Sequence, residues 1–120
     1  MLPTNKVLII DDESDICFLL SSILKNSGYS VEYANTLSEG LLKFNSTNPD
    51  IILLDVNLPD GCGLDYVSVI KEKKIDTKLI VMSAHVSYSE VKDVLGKGAD
   101  SFIPKPITKK ELMYALNRET

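Results

Sequence analysis

Five side chains able to do chemistry stand at positions that repeat along the chain. Asp11 and Asp12 follow the apolar run 7–10, and Asp55 closes the run 51–54. Ser83 closes the run 79–82, and Lys105 stands two residues beyond the run 102–103. Three crowded carboxylates repel one another. A hard divalent cation such as Mg²⁺ relieves this by taking oxygen ligands in octahedral geometry while keeping some waters. A lysine ammonium offers a point charge to a phosphoryl oxygen, and a serine hydroxyl offers a donor. One carboxylate is then free to act as the nucleophile that forms an acyl phosphate. Each acid alone reads equally well as a helix cap; five compatible groups at four matching places point to a site.

What must position them is a set of alternating elements. Each of five short apolar runs (7–10, 31–34, 51–54, 79–82 and 102–103) is followed by a stretch with helical spacing. Ile16, Leu19, Leu20, Ile23 and Leu24 fall at i, i+3, i+4, i+7 and i+8, predicting an apolar helix face. Leu37, Leu41 and Phe44 mark the second helix, and Leu64, Val67 and Ile70 the third. Val91, Val94 and Leu95 mark the fourth, and Leu112, Ala115 and Leu116 the fifth. Thr36-Leu-Ser-Glu39, Ser87-Tyr-Ser-Glu90 and Thr108-Lys-Lys-Glu111 have capping-box form, in which hydroxyl and glutamate each satisfy a free backbone N–H. Ile107 is placed to staple onto Leu112. Gly28 suits the stop after the first helix, and Gly96 or Gly98 the stop after the fourth. Runs 7–10, 51–54 and 79–82 are continuous rather than alternating, as in strands covered on both faces. The prediction is a doubly wound α/β domain of five strand–helix units, with ligands beyond the carboxyl ends of the strands.

The totals agree. A chain of 120 residues fits a single domain, 1–120, and no internal repeat or low-complexity segment breaks it. Net charge is −4, which argues against a dedicated nucleic-acid surface. The first 65 residues carry 10 acids against 3 lysines, and the remainder 7 acids against 10 basic residues. The acidic half is where a bound cation fits, although an uneven surface gives the same totals. Asp11 and Asp12 interrupt the first apolar run too early for a signal peptide or membrane span. Cys17 and Cys62 lack metal-ligand spacing, and His85 is the sole histidine, so zinc is not expected. Reduced thiols in a cytoplasmic protein are the default.

The motifs also carry a family likeness. Val7-Leu-Ile-Ile-Asp-Asp-Glu13, Ile51-Ile-Leu-Leu-Asp-Val-Asn-Leu-Pro-Asp-Gly61, Val81-Met-Ser-Ala84 and Phe102-Ile-Pro-Lys-Pro106 resemble a response-regulator receiver domain, in order and spacing. That resemblance implies the flavodoxin-like strand order 2-1-3-4-5. It implies Asp55 as phosphoacceptor, Asp12 as a direct metal ligand, and Asp11 holding the metal mainly through water. Asp55 itself and the backbone carbonyl of Asn57 complete the metal set, for Mg²⁺ or Mn²⁺. Ser83 becomes the switch hydroxyl beside the small Ala84, Phe102 the rotating aromatic, and Lys105 the phosphoryl partner, its bond to Pro106 cis. Asn57 and His85 match the positions that tune phosphoryl lifetime. The implied donor is a sensor histidine kinase or phosphotransfer protein. The implied readout is the face of the fourth helix, fifth strand and fifth helix, which also serves for a homodimer. No membrane and no direct nucleic-acid contact are implied.

Rival readings are weaker. A haloacid-dehalogenase-type phosphatase places a second aspartate two residues after its nucleophile, and here that residue is Asn57. Gly61-Cys-Gly63 begins like a dinucleotide fingerprint, but Tyr66 replaces its third glycine and no phosphate loop follows the first strand. A phosphorylation-independent interaction module would not need the full acidic set. The expected protein is an enzyme only on itself, catalysing its own phosphorylation and autodephosphorylation. Ending at Thr120, it suits a stand-alone regulator or a piece of a longer one governing an output domain.

Overall fold

A computed structural model describes residues 5–84 and 87–117. In chain order the main elements are β1 (Lys6–Ile10), α1 (Ser14–Asn26), β2 (Ser30–Ala34), α2 (Leu37–Thr47) and β3 (Ile51–Asp55). A short antiparallel ribbon pairs Asn57–Leu58 with Gly61–Cys62 and runs into a 3-10 turn, Gly63–Tyr66. There follow α3 (Val67–Lys73), β4 (Lys78–Ser83), α4 (Tyr88–Gly96), β5 (Ser101–Pro104) and α5 (Lys109–Asn117). The five long strands form one parallel sheet in the order β2-β1-β3-β4-β5, the order that the family resemblance implies.

Continuous apolar runs become the central strands because both faces of the sheet are covered. All five residues of β3 are buried, as are the last four of β1 and the last five of β4. The two-residue period of a strand then sorts them. Val7, Ile9, Ile51, Leu53, Ile80 and Met82 pack with α1 and α5, against Leu20, Leu24, Leu112 and Leu116. Leu8, Ile10, Ile52, Leu54, Leu79 and Val81 pack with α2, α3 and α4, against Phe44, Ile70 and Val94. The edge strand β2 buries fully only Ala34.

Several local readings need correction. In α1, Leu20 and Leu24 are buried, but Leu19 is 54% exposed, and Cys17 and Ser21 take the inner face with them. At 100° per residue Leu19 lies about 150° from the centre of that face, so a spacing match at i+3 was too permissive. The third helix begins at Val67, because Leu64 lies in the 3-10 turn. Gly98, at φ 113, makes the left-handed stop after α4, whereas Gly96 is still helical. Thr36, Ser87 and Thr108 each accept the N–H three residues on, as a capping box requires. At Thr108 the glutamate instead accepts the threonine hydroxyl.

Candidate functional site

The parallel register brings the carboxyl ends of β1, β3, β4 and β5 to one rim. There the backbone fixes Asp11 from several sides. Its N–H continues the β1–β2 ladder to the Ala34 carbonyl at 3.0 Å. Its carbonyl accepts Asn35 Nδ2 at 2.9 Å and the Cys17 thiol at 3.4 Å, and its Oδ1 accepts the Glu13 N–H at 2.9 Å. Asp55, the last residue of β3, is also buried, while Asp12 faces solvent. Carboxylate oxygens of Asp11, Asp12 and Asp55 lie within 4.8 Å of one another.

Lys105 reaches this cluster from the opposite side. Its N–H donates to the Ser83 carbonyl at 2.8 Å, which docks the segment after β5 against the end of β4. The Lys105–Pro106 peptide bond is cis. Its Nζ lies 2.8 Å from Asp11 Oδ2, 3.4 Å from Asp55 Oδ1 and 3.8 Å from Glu13 Oε1. Ser83, buried at the end of β4, lies one position beyond Met82, which pairs with Asp55. Phe102 is half-buried against the α2–α3–α4 side of the core. His85 lies outside the described residues.

Electrostatics follow from burial. Desolvation, reinforced by the neighbouring Asp11 charge, pushes the Asp55 carboxyl up to about 6, although Lys105 and the Asn57 N–H both favour its ionised form. Burial alone would lower Lys105, but Asp11 and Asp55 outweigh it and the ammonium is held above its ordinary value. The Cys17 thiol is pushed up to about 11 by burial and then by Asp11, so it serves as a hydrogen-bond donor and not as a nucleophile.

A single ammonium cannot balance three carboxylates. The donor set is all oxygen, charged, and spans little more than the roughly 4.2 Å between opposite ligands of an octahedral Mg²⁺. A divalent ion therefore fits the residues present. Asp11, Asp12 and Asp55 can supply side-chain oxygens, and Asn57 stands beside them on the ribbon.

Reading from sequence gave no part in the site to two residues that build this rim. Gly63 donates its N–H to the Val56 carbonyl at 2.7 Å, and a Cβ on it would fall upon the Asp55 carbonyl oxygen. Asp60 accepts the N–H of Leu37 at 2.8 Å and of Ser38 at 2.9 Å, capping α2 from 23 residues away. Only the residue types hinted at either, a glycine and an aspartate in a turn.

Residues 7–117 match the family model described as the response regulator receiver domain. The KDP operon transcriptional regulatory protein KdpE of Escherichia coli is 36% identical over 110 residues, 92% of this chain and 48% of that protein. The chain spans about half the length of the curated relatives it matches. Among solved structures, a CheY-like receiver domain protein from Methanospirillum hungatei has a TM-score of 0.89 at 30% identity, covering 95% of this chain and 91% of that one. A chain of the CheX–CheY–BeF3–Mg²⁺ complex from Borrelia burgdorferi has a TM-score of 0.87, also at 30% identity, covering 93% and 86%.

Proposed function

Because this chain belongs to the response regulator receiver domain family, we propose that it is a signalling switch set by phosphorylation of Asp55 in a Mg²⁺-dependent reaction. One observation carries the reading: the Lys105 ammonium sits 2.8 Å from Asp11 and 3.4 Å from Asp55, inside a trio of carboxylates that it cannot neutralise alone. Such a centre is built to receive more positive charge and then a dianionic group.

The donor is the phosphorylated histidine of a sensor kinase or a phosphotransfer protein. An Asp55 carboxylate oxygen attacks phosphorus, the new P–O bond forms as the P–N bond breaks, and the imidazole nitrogen leaves with the electron pair. Positioning and charge stabilisation supply the rate. Asp12, Asp55, the Asn57 carbonyl and, through water, Asp11 would hold a Mg²⁺, which would supply neutralisation of the phosphoryl charge. Lys105 follows that charge from Asp55 to a phosphoryl oxygen, and Ser83 donates its hydroxyl to another. Water later attacks the phosphorus, the P–O bond to Asp55 breaks, and inorganic phosphate leaves with the carboxylate restored, so the domain acts catalytically on itself alone; Asn57 and His85 tune the lifetime. Residues 1–120 work as one cytoplasmic receiver unit that governs an output domain or partner through the α4–β5–α5 face. Among the described residues no helix is long and apolar enough to cross a membrane.

The test is direct. With acetyl phosphate and Mg²⁺, intact mass should rise by one phosphoryl group, and Asp55→Asn should abolish the gain. Equal labelling of the variant would overturn the assignment.

A further inference from the structure

We propose that Asp60 is a positioning residue that aims the Asn57 segment at the metal by latching the β3–α3 ribbon to the start of α2, an inference that rests on the Mg²⁺ site just described.

The ribbon that carries Asn57 is only two residue pairs long, Asn57 with Cys62 and Leu58 with Gly61. A two-stranded ribbon even of ordinary length is at best marginally stable alone, so its shape depends on what holds its ends. Its base is held where Gly63 donates to the Val56 carbonyl, directly beneath Asp55. Asp60 stands at the tip, with Pro59 before it. Its two carboxylate oxygens grip two successive N–H groups of α2, at 2.8 and 2.9 Å. Beside it Gly61 passes so close that a Cβ would meet Leu37 Cδ1 at 3.0 Å.

The anchoring point is itself fixed. Leu37 is buried, and Gly40, one turn on, lies against Ile10 at the end of β1, the residue before Asp11. The first-turn donors of α2 are fully assigned: Leu37 and Ser38 to Asp60, Glu39 to the Thr36 hydroxyl, and Gly40 to the Thr36 carbonyl. Thr36 caps the same helix end through hydrogen bonds that stay within α2. Those same two N–H donors hold the exposed Asp60 carboxyl below the usual carboxylate range. The ribbon is thus pinned at base and tip, with Asn57 between the pins.

Two variants at one helix terminus separate latch from cap. Asp60→Ala frees the tip, while Thr36→Ala removes a comparable cap and leaves the ribbon attached. Calorimetric titration with Mg²⁺ should show affinity falling about tenfold in Asp60→Ala, the low end for losing a residue that orients a metal ligand. Asp60→Asn, which keeps one carbonyl acceptor, should fall between it and wild type. Thr36→Ala should stay within twofold of wild type although its melting temperature drops. The latch is overturned if Asp60→Ala also stays within twofold, or if Thr36→Ala weakens Mg²⁺ as much. Should Asp60→Ala not fold, Asp60→Asn against Thr36→Ala decides by the same criterion. Wild-type protein that binds no Mg²⁺ would instead bring down the metal site itself.

Discussion

Asp55 holds the tension of this site in one side chain. In an unfolded chain its carboxyl titrates near 3.9, whereas burial and Asp11 raise it to about 6 in the fold. Between those values the folded protein keeps a proton that the unfolded chain has released. The stabilising contribution is full below about pH 4 and is lost as pH rises through 6. A shift of two units corresponds to roughly 3 kcal/mol at most. In metal-free buffer, Asp55→Asn should therefore be more stable than wild type at pH 7, by about 1–3 kcal/mol on that scale, and the gap should close towards pH 4. Urea melts at both values check this, and parallel curves would count against a strained Asp55. Asp12→Ala tests the same crowding from outside: Mg²⁺ affinity should fall strongly, while apparent stability without metal rises. Thermal melts across a Mg²⁺ titration show both, and unchanged affinity would refute a direct-ligand role. Asp11, Asp12, Asp55 and Lys105 were legible because each stands at or just beyond the end of an apolar run. Asp60 and Gly63 were not, since one acts on amides 22 and 23 positions away and the other acts by having no side chain.

Among the elements, α2 and α4 behave oppositely. Helix α2 lies close against β1 through Gly40, where an added Cβ would meet Ile10 Cδ1 at 2.6 Å and Cγ1 at 2.9 Å. Replacing glycine by alanine inside a helix ordinarily gains up to about 1 kcal/mol. Overpacking a filled core costs about 1–3 kcal/mol, so the crowding should win. Gly40→Ala is expected to lower the denaturation midpoint, and a rise would mean that α2 can back away from the sheet. In α4, by contrast, Val94 is fully buried, Val91 half-buried and Leu95 43% exposed. Spacing found both helices, yet it could not rank their anchorage: a glycine contributes nothing to an apolar stripe, and Leu95 counts as much as Val94. The same blindness placed Leu19 in the core of α1, where it is exposed.

Across the whole molecule, the architecture was legible because continuous runs and helical stripes differ in period, and alternation of the two permits few topologies. Strand order was not, for pairing is decided by register between distant segments; family resemblance supplied it. The assembled sheet explains where a signal can go. β1 and β3 are buried on both faces and pinned to each other from Val7 to Leu54, so they offer little freedom. Ser83 and Lys105 are different, because one ends the strand that leads into α4 and the other follows the strand that leads into α5. They are joined by the Lys105 N–H to Ser83 carbonyl bond, so a new charge on Asp55 would pull on both. Among the described side chains of α4 only Val94 is fully buried, and sparse anchorage suits an element that must move. Phe102 is half-buried on β5, packed on the same side of the sheet as α4. On the proposed reading, added charge would bias a two-state equilibrium without deforming the sheet. Hydrogen exchange with and without beryllofluoride and Mg²⁺ should change mainly in α4, β5 and the start of α5. Amides of α1 and of the central strands should hold their protection. A change confined to the loops bearing Asp11, Asp12 and Asn57 would disconnect the site from the proposed readout face.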